Sequence, residues 1–119
     1  EDWTHEAHLG ATAYLLLRRP EIDLDERLPD IIRRFNESVG GVNSDTEGYH
    51  ETITRTFLAG VRLFLAGADR NEPLHKLVNT LLGSGMGRRD WPLRFYSRAR
   101  LFSVEARRSY VEPDLAAVA

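Results

Sequence analysis

The chemistry available to this chain starts with its histidines. There are four, and three of them fall where helices are expected to begin. His5 and His8 are three residues apart and share one face of a first helix. His50 belongs to the apolar face of a third. The backbone dipole is positive at a helix start and favours a neutral ring, the form that binds a metal ion or acts as a base. Acids stand close by. Asp2 is three residues before His5, Glu6 is adjacent to it, and Glu47 and Glu51 flank His50. An acid three positions before a histidine is related to the ligand spacing of carboxylate helical bundles. The spacing is incomplete, because such bundles supply four carboxylates and two histidines. His5-Glu6-Ala7-His8 is also one residue short of a zinc-protease helix. With no cysteine in the chain, a metal would be held by nitrogen and oxygen alone, which suits Fe, Mn, Zn or Ni. The expected ligands are His5, His8 and His50. The expected acid–base group is His50 with Glu51, and Tyr49 and Arg55 orient a small polar substrate. The same residues have a competing structural role, since histidines at helix starts cap and histidines on apolar faces sit satisfied in cores.

Other chemistries are poorly represented. There is no cysteine nucleophile and no Gly-x-Ser-x-Gly turn. Ser44, Thr46, Thr52 and Thr54 read as cap and helix residues. Asn43-Ser44-Asp45-Thr46 reads as a turn whose Asn43 or Asp45 could meet a substrate. The run Gly83 to Gly87 reads as a mobile loop; no strand precedes it and no lysine follows at phosphate-loop spacing. His75 belongs on the surface. Between Arg88 and Arg108 stand seven arginines against Asp90 and Glu105, interleaved with Trp91, Phe95, Tyr96 and Phe102. That mixture could take RNA, a phosphate or a carboxylate. The preferred reading is that these arginines pair with the acidic first half of the chain. The net charge of -2 and the absence of a recognition motif argue against nucleic acid. Arginine, tryptophan and tyrosine are also favoured interface anchors, so a second reading is a non-catalytic helical module that forms a homodimer or binds a protein.

These residues need elements to hold them. The apolar spacing is helical almost throughout. Thr4 is expected to cap a first helix ending near Arg19, stapled by Trp3 and His8 and stopped by Pro20. Asp23 or Asp25 opens a second, with Pro29 near its first turn and Leu28, Ile31, Ile32, Phe35 and Val39 as its apolar stripe. Gly40-Gly41 closes it. Ser44 and Glu47 have capping-box spacing for a third helix that ends before Gly67. Asn71 caps a fourth with Leu74, Leu77, Val78, Leu81 and Leu82 inward. Ser103 caps a short helix through Arg108, Pro113 breaks the pattern, and the rest is a tail. The fold expected is all-α: a single helical domain over residues 1–119, four main helices with a shorter helical C-terminal segment packed across them.

Composition sets the outer bounds. At 119 residues, 42% apolar and 29% charged, the chain is sized and composed as one globular domain rather than a disordered segment. The longest apolar runs, Ala13–Leu17 and Leu115–Ala119, are far too short to span a bilayer. Fifteen of the sixteen basic residues are arginine, Lys76 being the exception. The chain begins at Glu1 without methionine, so a natural N-terminal segment is expected to be missing, and no signal peptide is visible.

Several motifs together carry a resemblance. Trp3-Thr4-His5-Glu6-Ala7-His8-Leu9, Gly48-Tyr49-His50-Glu51-Thr52, Phe95-Tyr96-Ser97-Arg98, Leu101-Phe102-Ser103 and Glu112-Pro113-Asp114-Leu115 make the chain similar to a group of small bacterial proteins of no established activity. The resemblance covers nearly the whole chain. It implies a cytoplasmic bacterial protein with a further N-terminal segment, and it carries no catalytic assignment.

Overall fold

A computed structural model describes residues 5–69 and 71–118, and the described residues are helical, without strands. Four main helices lead: α1 (His5–Arg18), α2 (Leu24–Ser38), α3 (Glu51–Ala66) and α4 (Leu74–Leu82). Two 3-10 turns follow, Gly85–Gly87 and Trp91–Arg94, and then the short α5 (Arg98–Leu101) and α6 (Val104–Arg108). The expected Thr4 cap and its Trp3 staple partner lie outside the described residues, as does Asp2.

Helix α3 is the centre. Its Val61 and Leu65 pack with Leu9 and Ala13 of α1 and Leu81 of α4. Its Leu58 packs with Leu24 and Leu28 of α2. Its Ile53 meets the C-terminal cluster of Tyr96, Leu101, Ala106 and Val111. A helix that serves three clusters buries more than one stripe, and Thr52, Thr56 and Gly60 are buried as well. Gly60 has to be glycine, because a Cβ there would lie 2.5 Å from the Trp91 ring and 2.7 Å from the Met86 sulfur.

The C-terminal third is fastened by polar groups. Ser97 and Ser103 cap α5 and α6, their hydroxyls accepting from the Arg100 and Ala106 N–H groups. The Tyr96 hydroxyl donates to the Val111 carbonyl at 2.6 Å. Thr52 acts as a surrogate peptide group: its hydroxyl donates to the Ser109 carbonyl at 3.0 Å and accepts from the Val111 N–H at 3.2 Å. What read as a tail is tied down too. Asp114 accepts from both the N–H and the hydroxyl of Ser97, and the Leu115 N–H donates to the Phe95 carbonyl.

Several expectations change. Asp23 is the cap of α2, so Pro29 is the sixth helical residue rather than a first-turn one. Gly40 and Gly41 do close α2, donating to the Glu37 and Asn36 carbonyls in the Schellman pattern. The apolar stripe of α2 is narrower than its sequence, since Ile31 and Val39 are exposed. Ser44 and Glu47 form a hydrogen-bonded turn, not a capping box, and the cap of α3 is His50. Asn71 does not cap α4; Pro73 occupies that position. The Gly83–Gly87 run holds a 3-10 turn fixed by Ser84, whose hydroxyl accepts from the Met86 N–H. No helix among the described residues is long and apolar enough to cross a membrane.

Candidate functional site

The segment leading into α3 places the residues of interest, and it starts from Asn43. The Asn43 side-chain oxygen accepts from the Asn36 amide and the Tyr49 N–H, while its NH2 donates to the Arg33 carbonyl and to Glu37. Gly48 has φ +86, and a Cβ there would lie 2.2 Å from the Val42 carbonyl oxygen. Only glycine makes this turn. The chain is thereby delivered to Tyr49 and His50 at a fixed angle, both buried.

His50 faces away from the groove described below. Its Nδ1 accepts from the Ile53 N–H at 3.1 Å, and its Nε2 lies 2.8 Å from the Leu101 carbonyl oxygen. An N–H donor on one side and a carbonyl on the other admit only the neutral ring with Nε2 protonated. Burial pushes its pKa below the ordinary histidine value, with the Arg107 charge adding to the effect. His50 is therefore a helix cap and a tie to the end of α5, not the apolar-face residue that its spacing indicated.

His5 and His8 do share a face, as spaced. They border a small apolar pocket of about 120 Å³ between α1, α2 and α3, with Leu28, Ile32 and Phe57. His5 donates from Nε2 to the Met86 carbonyl at 2.8 Å and packs edge-on against Phe57. His50 does not line that pocket. Among the described residues, no three His, Cys, Asp or Glu side chains are arranged to hold a metal ion.

The other predicted residues do converge. The Tyr49 hydroxyl donates to Glu51 Oε1 at 2.6 Å, and Arg55, one helical turn on, donates from Nε to Glu51 Oε2. Glu51 is only 13% exposed, so this is a half-sunk network rather than a surface pair. Burial first, then the hydrogen bond to Glu51 and its charge, push the Tyr49 phenol well above the ordinary tyrosine range. The guanidinium of Arg55 is correspondingly held protonated by Glu51.

A missing peptide hydrogen extends the network. Pro29 has no N–H, so the carbonyl of Asp25, four residues earlier, loses its helical donor. Arg55 Nη2 donates to that carbonyl at 3.3 Å. The Asp25 carboxylate lies 3.5 Å from Arg55 Nη1 and accepts from Arg62 Nη1 at 3.1 Å. Arg62, and to a lesser degree Arg55, hold it below the usual carboxylate range. The alternation Glu51–Arg55–Asp25–Arg62 forms the floor of a groove of about 750 Å³ between α2 and α3. Arg33, Asp30, Arg108 and Tyr110 border it. A second cleft of about 410 Å³, walled by residues 112–118, continues from it past Arg55, Ala59 and Tyr110.

Sequence reasoning found Tyr49, Glu51 and Arg55 and missed Asp25, Arg33, Arg62, Arg108 and Tyr110. One signal was present: Glu51, Arg55 and Arg62 recur at helical spacing on a helix whose other faces are apolar. The aromatic–arginine third follows the pairing expectation in part. Trp91 and Tyr96 are buried in the chain's own core, Trp91 with its ring against Phe57 and edge-on to Phe95, and Phe102 and Tyr110 are exposed. Of its arginines, Arg108 pairs with Asp45 of the first half, while Arg88 pairs locally with Asp90.

Compared with models of known protein families, with curated proteins and with solved structures, the chain shows no match.

Proposed function

We propose that the chain binds a small polar molecule carrying charges of both signs, seated over Glu51 and Arg55 in the groove between α2 and α3. The observation that carries this reading is the floor itself: carboxylates and guanidiniums alternate along it in a concave site large enough for a small molecule. Such a floor is neutral as a whole and polar at every step. A ligand with an ammonium and a carboxylate can exchange places with pairs that the protein already forms, so its desolvation is met group by group.

The network favours binding over proton transfer. Tyr49 is held as a hydrogen-bond donor by burial and by Glu51. Glu51 takes both the Tyr49 proton donor and the Arg55 charge. A general base is poised when its proton affinity lies near the working pH, and here the phenol is driven away from that range. Two of the three candidate metal ligands have other duties: His50 uses both ring nitrogens and His5 uses Nε2 in the bonds that hold the helices.

The test is amide-resolved NMR with a panel of small zwitterions, amino acids first. Binding should shift resonances of residues 25–33 and 51–62. Glu51→Gln should weaken it about tenfold, the loss expected for one charged hydrogen bond. Shifts confined to other parts of the chain, or unchanged affinity in Glu51→Gln, would overturn the assignment.

A further inference from the structure

A second, smaller pocket of about 170 Å³ lies beside the groove, where the Asn43–Tyr49 turn meets α2 and α6. Three guanidiniums line it, those of Arg33, Arg107 and Arg108, against the single carboxylate of Asp45. Their donors are unequally used. Arg108 gives two N–H groups to Asp45, which lowers the Asp45 pKa. Arg107 gives one, Nη1, to the Gly48 and Tyr49 carbonyls. Arg33 lies over the Tyr49 ring, 4.5 Å from its centre, and no hydrogen bond to its guanidinium is formed among the described residues. Its nearest acid is Asp30 at 3.8 Å, beyond hydrogen-bond length and on the groove side. Of the other acids near the turn, Glu37 is engaged by the Asn43 amide and Glu47 is exposed and does not line the pocket.

From this we infer an oxyanion site, with a phosphoryl group as its occupant. The lining is two charges more positive than negative, which matches a phosphoryl dianion better than a carboxylate. The volume equals about six waters, room for a tetrahedral group. Planar guanidinium forks suit phosphate oxygens, and Arg33, over the Tyr49 ring, brings donors that no hydrogen bond uses among the described residues. The site is also preorganised. The Asn43 hydrogen bonds and the Gly48 turn hold Asp45 and two carbonyls where Arg107 and Arg108 reach them. Since Arg33 and Arg108 border the groove as well, a phosphomonoester could place its organic part there. The site does not depend on the groove reading, because phosphate alone is enough to probe it.

The experiment is titration calorimetry on the whole chain with inorganic phosphate, methyl phosphate and acetate, at pH 7.5 and constant ionic strength. Phosphate is expected to bind in the millimolar range or tighter, and acetate about tenfold more weakly. Methyl phosphate binding tighter than phosphate would identify the organic monoester as the source, and the reverse order would identify the free ion. Arg33→Gln should weaken phosphate about tenfold, and Arg33→Lys, which keeps the charge and loses the fork, by less. Arg88→Gln, which removes an equal charge away from the pocket, should bind as the parent chain does. Should either Arg33 variant lose its helical circular dichroism, the phosphate-induced amide shifts at Ser44, Asp45 and Gly48 of the parent chain decide instead. The inference fails if phosphate does not bind, if acetate binds equally well, or if Arg33→Gln binds phosphate unchanged.

Discussion

Two polar faces run side by side along the first turns of α3, and they are built on opposite rules. On one, His50, Thr52 and Thr56 are buried, and the partners of His50 and Thr52 are peptide groups of Ile53, Leu101, Ser109 and Val111. On the other, Glu51, Arg55 and Arg62 face a groove, and their partners are chiefly side chains: Tyr49, Asp25 and one another. A peptide partner cannot leave without unfolding something. A side-chain partner can be exchanged for a group on a ligand. The first face is therefore the joint between α3 and the C-terminal third, and the second is the surface on which binding is proposed. Substitutions on the two faces should separate cleanly into losses of stability and losses of binding.

The largest expected effect is on the buried face. His50→Ala removes the cap acceptor of the Ile53 N–H, worth about 0.5–2 kcal/mol. It also strips the buried Leu101 carbonyl of its donor, at about 1–3 kcal/mol. A total near 3 kcal/mol is a large fraction of a small domain's stability, readable as a lower urea midpoint. His50→Asn keeps a cap acceptor and should recover part of the loss. Equal stability of His50→Ala and the parent chain would erase the distinction between the faces.

Thr52→Val comes next. The shape is kept and the hydroxyl is lost, so the Ser109 carbonyl and the Val111 N–H lose their shared partner. About 2 kcal/mol is expected. The readout specific to this joint is hydrogen exchange, which should quicken at residues 109–111 before it does in α1 and α4. Uniform acceleration across all helices would mean that the C-terminal third is not a separable attachment.

How much of this was legible in the sequence follows the same division. The four helices were readable because apolar residues at three- and four-residue spacing mark a buried stripe, as at Leu77 and Leu81 in α4. Caps were less so. Ser103 signals its helix by type and position, but Ser44 has the same signal and forms only a turn, because Gly48 at positive φ ends any helix begun there. A histidine cap such as His50 has no strong sequence signature. Of the candidate site, Tyr49, Glu51 and Arg55 were readable because they are neighbours in sequence. Asp25, Arg33 and Arg108 were not, because their place depends on how α2 and α6 cross α3. The Pro29 effect was readable only as a tolerated proline. That its missing N–H frees a carbonyl for Arg55 needs the packing of two helices.

On the groove face, the stability cost should be small. In Glu51→Gln the Tyr49 hydroxyl keeps an oxygen to donate to, and Arg55 keeps Asp25. About 1 kcal/mol is expected in urea unfolding, because Glu51 is largely buried but its partners keep other acceptors. The sharper readout is the Tyr49 phenol, which Glu51 helps to push upward. Ultraviolet titration should place its ionisation at lower pH in Glu51→Gln than in the parent chain, though still above an ordinary tyrosine because burial remains. An unmoved Tyr49 titration would mean that the hydrogen bond to Glu51 does not persist in solution.

The smallest effect is a pH dependence that belongs to the buried face alone. The folded-state pKa of His50 lies below its ordinary value of 6.5. Well above pH 6.5 the ring is neutral in both the folded and the unfolded chain, and its contribution is complete. As the pH falls through 6.5, the unfolded chain takes up a proton that the folded chain refuses, so folding loses free energy. The loss saturates once the pH passes below the folded pKa. At pH 6 it is at most about 0.8 kcal/mol, set by the unfolded protonation alone. The chain holds three other histidines, so the parent curve by itself does not isolate the effect. The difference between the parent chain and His50→Asn does, since the other three rings are common to both. That difference should shrink from pH 7.5 to pH 6, because the parent loses stability that the variant has no ring to lose. A difference that grows toward low pH would mean that His50 is stabilised as the imidazolium. The two hydrogen bonds that define it as a neutral cap would then be wrongly assigned.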